Sequence, residues 1–147
     1  MIIKKQDNII EIVTFQLGKE TYGIDINHVH EVIRLVDITH VPRARQDIEG
    51  VINLRGNIIP IVDLRKRLNL EKKDDFHTTR IIILDLDGLI GILVDAVLEV
   101  RNIDFNSLES PLVFTTEQNN NSYILGIAKQ EDVIITLLDI QKILNLE

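Results

Sequence analysis

An internal repeat is the feature of this sequence that most restricts how the chain can fold. Two stretches of the first half match two stretches of the second half: YGIDINHVHEV (22–32) with IGILVDAVLEV (90–100), and VDLRKRL (62–68) with LDIQKIL (138–144). A duplication at this spacing predicts two similar structural units. Five short strands enclose little volume alone, so we expect the units to pack on each other and leave a binding place where they meet.

The repeat also separates positions that the fold requires from positions that it does not. Gly23 matches Gly91, and Gly50 matches Gly126, so these glycines are most simply structural. Arg55, by contrast, falls opposite an acidic residue of the second copy. A requirement of the fold should appear in both copies. Unmatched residues such as Arg55 are therefore better candidates for function.

Most of the chain is predicted as short strands joined by tight turns. Runs rich in Ile, Val and Leu, bounded by turn residues, favour strands at 9–17, 22–26, 51–54, 58–62, 80–86, 89–94, 122–128 and 133–137. Gly56-Asn57 and Asp87-Gly88 are typical two-residue hairpin turns. Asp63 and Asp139 have the short carboxylate that caps a helix, so a short helix is predicted after each, the last over 138–146.

Two local features go against a simple strand pattern. Val29, Val32 and Ile33 have the i, i+3, i+4 spacing of a helical face, so one or two helical turns are predicted after Asn27. Pro60 lies inside a strand and cannot donate a ladder hydrogen bond, so that strand is expected to be a sheet edge or to carry a bulge.

The polar stretch 69–79 is the best internal boundary. We therefore expect one domain over 1–147 with two subdomains, approximately 9–70 and 79–146. The predicted fold class is mainly β: two packed five-stranded β-barrel subdomains with a few short helices.

Composition excludes several classes of function. The net charge is -7 and aromatic residues make up only 4%, which disfavours nucleic-acid binding. The chain has no cysteine, so thiolate metal sites and Cys nucleophiles are excluded. We find no signal peptide and no apolar run of about 20 residues, so a soluble cytoplasmic protein without direct membrane insertion is expected.

No catalytic or cofactor motif is recognisable. The sequence has no G-x-S-x-G, no G-x-x-x-x-G-K and no G-x-G-x-x-G pattern. His28 and His30 would share a face if their segment were extended and could then bind a metal together with His40. Solvated histidines are the simpler interpretation. We expect that the protein is not an enzyme and binds neither a cofactor nor a metal. A small His-based metal-dependent hydrolase remains a distant alternative.

Four segments together resemble the CheW family of bacterial chemotaxis coupling proteins. They are YGIDINHVHEVIR (22–34), IEGVINLRGNIIPIVDLRKRL (48–68), IGILVDAVLEV (90–100) and LGIAKQEDVIITLLDIQKIL (125–144). They follow the family's order and cover nearly the whole chain, and the NLRG-x-hydrophobic-x-P core is highly specific. The resemblance implies two SH3-like five-stranded barrels, the architecture that the repeat predicts independently.

The resemblance also implies a non-enzymatic function. Family members bind the cytoplasmic helical tip of methyl-accepting chemoreceptors, in an apolar groove between the barrels, and the regulatory domain of the histidine kinase CheA, against barrel edges. Such an adaptor lets the receptor control the kinase. We expect a monomer that joins receptor arrays at the inner face of the cell membrane. The regulatory domain of a kinase, which has the same fold, remains an alternative.

Seven residues match family positions linked with coupling, in receptor binding, kinase binding or both. They are Val29, Glu31, Val32, Gly50, Arg55, Gly91 and Val100. The glycines among them could act through backbone geometry. The recurrence of Glu31 as Glu99 in the second copy is compatible with a structural requirement.

Overall fold

The computed structural model describes residues 8–71, 76–110 and 123–144. These ranges form ten strands and two short α-helices: β1 (Ile9–Leu17), β2 (Glu20–Asp25), β3 (Val29–Arg34), β4 (Ile48–Leu54), β5 (Asn57–Asp63), α1 (Leu64–Arg67), β6 (Arg80–Asp85), β7 (Leu89–Val94), β8 (Ala96–Asp104), β9 (Ile124–Gln130), β10 (Val133–Leu138) and α2 (Ile140–Ile143). One-turn 3₁₀ segments, Ile26–His28 and Phe105–Ser107, follow β2 and β8. The predicted mainly β fold class is confirmed.

The strands form two five-stranded sheets, with orders β8-β1-β2-β10-β9 and β3-β6-β7-β5-β4. Unit 1 contains the described residues of 1–15, 19–26 and 98–147, and unit 2 contains those of 16–18 and 27–97. Each sheet therefore combines strands from both sequence repeats. The boundaries drawn from the sequence, 9–70 and 79–146, do not coincide with these units, because the first hairpin of each repeat completes the sheet of the other.

Strand register shows that the two sequence repeats are also structural repeats. Ile61 on β5 lies opposite Gly91 on β7 in a parallel pair. Leu137 on β10 lies opposite Gly23 on β2 in the equivalent parallel pair. Both pairs join positions that the sequence alignment equates. The duplication therefore extends to how each sheet is assembled.

Each unit has its own aliphatic core. The core of unit 1 is formed by Ile12, Ile103, Ala128, Ile135 and Leu137, and that of unit 2 by Ile52, Ile59, Ile61, Ile81 and Ile83. A Cβ added at Gly23 would lie 2.7 Å from Ile12 Cδ1, and one at Gly91 would lie 2.6 Å from Ile61 Cδ1. Both cores therefore need a glycine where a side chain packs directly on a strand backbone.

The helix caps are confirmed, and both hairpins form with altered turns. Asp63 accepts a hydrogen bond from the Arg65 amide, and Asp139 accepts one from the Lys142 amide. The predicted final helix is shorter than 138–146, and its last two residues lie outside the described residues. The turn between β4 and β5 is Arg55-Gly56, one residue earlier than the sequence suggested, with φ values of 51° and 88°. The β6–β7 loop is Leu86-Asp87-Gly88, one residue longer than the predicted Asp87-Gly88, because Asp85 pairs with Leu89.

The predicted edge position of Pro60 is wrong. β5 lies inside its sheet, between β7 and β4. The pairing of β5 with β7 begins at Ile61, so Pro60 has a neighbouring strand on the β4 side only. The register irregularity of this pair lies in the partner strand β4, between Ile48 and Gly50, and not in β5 as predicted. Pro60 is tolerated because this part of β5 has a single strand neighbour.

The predicted helix after Asn27 is also wrong. Only Ile26–His28 forms a 3₁₀ turn, and β3 then pairs antiparallel with β6. Burial along β3 alternates residue by residue, which is the period of a strand. The helical spacing of Val29, Val32 and Ile33 led to the wrong prediction because Val32 is an exposed apolar residue and not a core residue.

Candidate protein-interaction site

Arg55 and Glu31 form an ion pair on the surface of unit 2. Arg55 occupies the turn between β4 and β5, and Glu31 lies on β3. A guanidinium N–H of Arg55 donates to the Glu31 carboxylate. The Arg55 side chain remains 65% exposed, whereas that of Glu31 is 29% exposed. The more buried carboxylate thus holds one side of a guanidinium whose other donors face solvent.

The turn conformation of Arg55 is required by the fold, but its charge is not. Arg55 has φ 51°, and Glu131, its counterpart in the second copy, also has φ 51°. Asn53 stabilises the first turn by accepting a hydrogen bond of 3.0 Å from the Gly56 amide. Both copies use a left-handed residue here, with opposite charges. The positive charge at Arg55 is therefore not explained by the hairpin.

β3 carries three further candidate residues of unit 2, Val29, Glu31 and Val32. Val29, Glu31 and Ile33 are half-buried, and His30, Val32 and Arg34 are exposed. Val32 is 41% exposed. Glu31 pairs with Ile83 and Ile33 with Ile81, so these two side chains share the face of β3 that lies towards the core of unit 2, and the register shifts between Val29 and Glu31.

Gly50 and Gly91 lie in the interior and have no side chain or surface to offer a partner. A Cβ at Gly50 would lie 2.1 Å from the Thr39 carbonyl oxygen, and its φ is 150°. A Cβ at Gly91 would meet Ile61 and Ile81 within 2.9 Å. Both glycines are buried. They preserve close packing, which supports the indirect role suggested for them.

Val100 lies on β8 in unit 1 and is 51% exposed. Leu98, two residues earlier on the same strand, is also exposed and was missed, although strand periodicity places both on one face. Ile58 and Ile134, which occupy matching positions of the two copies, were missed as well. They are 66% and 62% exposed, the highest values among the large apolar residues described. The repeat alignment could have identified them as a pair.

The described residues do not assemble a metal site. No group of three His, Cys, Asp or Glu side chains in 8–71, 76–110 and 123–144 is arranged to hold a metal ion, and His28, His30 and His40 form no such set. In the same ranges, no helix has the length and apolarity needed to cross a membrane. The features that stand out are a charged turn and exposed apolar strand residues. They define a protein-binding scaffold.

Comparisons with known proteins identify the family of this scaffold. The CheW-like domain model matches residues 11–147. The chain is 35% identical to the chemotaxis protein CheW of Treponema pallidum over 95% of this chain and 84% of that protein. It is 35% identical to CheW of Thermotoga maritima, over 92% and 87% respectively. The crystal structure of the scaffolding protein TtCheW from Thermoanaerobacter tengcongensis matches with a TM-score of 0.77 and 45% identity, over 88% of this chain and 83% of that one.

The chain therefore belongs to the CheW family. Members of this family are scaffolding adaptors of chemotaxis and not enzymes, so this protein is a chemotaxis adaptor. The resemblance drawn from the four sequence segments is confirmed.

Proposed function

We propose that this adaptor binds the cytoplasmic tip of methyl-accepting chemoreceptors and the regulatory domain of the histidine kinase CheA. By holding both, it lets the conformational state of the receptor bias kinase activity. The observation that carries the proposal is the Arg55 turn. It presents a largely exposed guanidinium on a hairpin that the fold builds equally well around an acidic residue.

The receptor contact is assigned to exposed apolar residues. Val32 on β3 in unit 2 and Val100 on β8 in unit 1 expose branched side chains that no core requires. An amphipathic helix is bound by apolar surfaces of this kind, through residues spaced three and four apart. Within unit 2, Val29 and Glu31 are half-buried neighbours of Val32 on β3 and support its position.

The kinase contact is assigned to strand margins near the Arg55 turn. β4 is an outer strand of its sheet, and a single bridge to Thr39 covers it at Val51. Arg55 follows directly after β4 and can donate two parallel hydrogen bonds to a carboxylate of a partner. The adaptor acts as a monomer that joins receptor arrays at the inner face of the cell membrane.

Separate pull-downs with a receptor-tip fragment and with the kinase regulatory domain test the proposal. Arg55→Ala should keep the fold and weaken capture of at least one partner by about tenfold, because a charge-assisted contact is lost. Glu131→Ala is the matched control. It changes the equivalent turn residue, with the same φ, in unit 1. The control separates loss of the arginine from an effect of alanine in a left-handed turn.

Folding of each variant is checked by denaturant unfolding before binding is compared. If folded Arg55→Ala captures both partners as well as Glu131→Ala does, the role of Arg55 is refuted. If the unaltered chain captures neither partner, the proposed function itself fails.

A further inference from the structure

Unit 2 contains a cavity that is lined by none of the seven residues linked with coupling. Its volume is about 340 Å³, a size typical of ligand sites. Leu35 and Ile38 form one wall, after the end of β3, and Phe76 contributes to the lining. Leu35 and Phe76 remain exposed although both are large and apolar. The cavity therefore has an apolar lining that this part of the chain leaves open to solvent.

The cavity also has a charged lining, and among the described lining residues acidic groups outnumber basic ones. Arg65 is paired with Asp95 by two hydrogen bonds, and Lys66 donates to Glu49 at 2.7 Å. Asp63, a third carboxylate, caps α1 by accepting from a backbone amide at 3.0 Å. Burial, and then the nearby Glu49 carboxylate, raises the pKa of Asp63. The balance of charge around the cavity is thus negative.

One buried polar group of the lining lacks a partner. Thr79 is 5% exposed, and its hydroxyl has no hydrogen-bond partner in the described part of the chain. Buried hydroxyl groups are nearly always paired, so such an exception calls for an explanation. The Thr79 oxygen has almost no accessible surface, so the hydroxyl lies within the wall of the cavity and does not itself contact an occupant.

The second copy shows that the fold does not require this charged lining. Asp63 recurs as Asp139, since both cap a helix. The positions that match Glu49, Arg65 and Asp95, however, hold Leu125, Gln141 and Asn27. The two extra carboxylates and Arg65 are therefore not repeated, whereas Lys66 recurs as Lys142.

We propose that this cavity receives a basic side chain, lysine or arginine, from a protein partner. The aliphatic stem packs against Leu35 and Phe76, and the cationic end reaches Glu49 and Asp63. Long basic side chains combine an apolar stem with a charged tip in this way. The negative balance of charge favours a basic side chain over an anion and over an uncharged aliphatic group. The apolar wall favours an occupant with a long aliphatic stem.

The test uses blocked amino acids as probes and amide NMR shifts of the full chain as readout. Nα-acetyl-lysine N-methylamide should bind saturably, with shifts centred on Asp63, Lys66 and Thr79. The norleucine analogue has the same four-carbon stem without the ammonium group. It should bind at least about threefold more weakly, as expected for a partly exposed ion pair.

Two charge variants make the test specific. Glu49→Gln should weaken binding of the lysine probe, because it removes a carboxylate that binds the ammonium group. Lys66→Gln should strengthen it, because it removes the cation that competes for Glu49. Neither should change binding of the norleucine probe. Equal binding of both probes, shifts outside the cavity, or no response to the two substitutions would overturn the proposal. These readouts are independent of the pull-downs with Arg55 variants.

Discussion

At the residue scale, the structure divides the seven family-linked positions by what each side chain can do. Arg55, Val32 and Val100 are exposed and able to touch a partner. Gly50 and Gly91 are buried and act on the backbone around them. If substitution of one of these glycines abolishes receptor control of the kinase, the cause is therefore damage to the unit. If substitution of Arg55 does so, the cause is a missing contact with a partner.

Gly50→Ala should destabilise the protein by about 3 kcal/mol, since the new Cβ would both strain the backbone and collide with a carbonyl oxygen. Gly56→Ala is the matched control. Gly56 also has a positive φ, but a Cβ there meets nothing within 4 Å, so about 1 kcal/mol is expected. Urea unfolding measures both changes. A Gly50→Ala protein with unchanged stability and lost partner binding would instead assign Gly50 a direct contact.

The raised pKa of Asp63 predicts a pH dependence of stability. Burial and the Glu49 carboxylate disfavour the ionised form in the folded state. The contribution of Asp63 to stability is therefore greatest below the unfolded pKa and is lost as pH rises through the folded pKa. The free energy of unfolding of Asp63→Asn, minus that of the unaltered chain, should therefore increase as the pH rises from 3 to 7.

Asp139→Asn is the matched control for this pH effect, because it changes the equivalent cap where Leu125 replaces Glu49. The measured quantity is the difference in unfolding free energy between variant and unaltered chain at each pH. If the Asp63→Asn difference falls with rising pH, the burial and repulsion assigned to Asp63 are wrong.

At the scale of elements, β3 shows how tertiary structure overrides local spacing. Three apolar residues at helical spacing suggested a helix, yet the segment pairs with β6. An acidic residue on its inner face is acceptable because Arg55 lies beside it. An apolar residue on its outer face is acceptable in a protein that binds partners. Glu31 and Val32 made the alternation of this strand hard to recognise in the sequence, and both are residues to which we assign a function.

A pair of alanine substitutions on β3 tests this assignment. Ile33→Ala should cost about 2 kcal/mol, since Ile33 packs against the core of unit 2. Val32→Ala should change stability by less than about 0.5 kcal/mol, because the side chain is exposed. Denaturant unfolding of both variants gives the comparison. Equal losses would indicate that Val32 and Ile33 share a buried face, as the helical interpretation required.

At the scale of the whole molecule, the two repeats exchange their first hairpins. The β1–β2 hairpin belongs to the first repeat but completes the sheet of β8, β9 and β10. The β6–β7 hairpin belongs to the second repeat but completes the sheet of β3, β4 and β5. Each unit therefore depends on both halves of the chain.

This exchange predicts complementation between fragments. Separate polypeptides covering 1–71 and 76–147 should each be poorly folded alone, because each lacks strands that its sheets require. Mixing them should restore a cooperative fold with dispersed amide signals. Circular dichroism and NMR of the single and mixed fragments provide the measurement. A single fragment that folds as a monomer would show that a hairpin can complete the sheet of its own repeat.

The sequence by itself determined the duplication, most hairpins, both helix caps and the glycines on which each core packs. These features depend on local chemistry: β-branched runs, positive φ, a carboxylate before a helix, and absence of a Cβ. It also identified Arg55 through the mismatch between copies.

Only the tertiary structure decided which strands complete which sheet and which face of β3 is buried. Alternation along a strand fixes its two faces but not its neighbours, so it does not say which sheet a hairpin joins. The pairing of Glu31 with Arg55, which are 24 residues apart, likewise arises only when β3 and the β4–β5 turn come together.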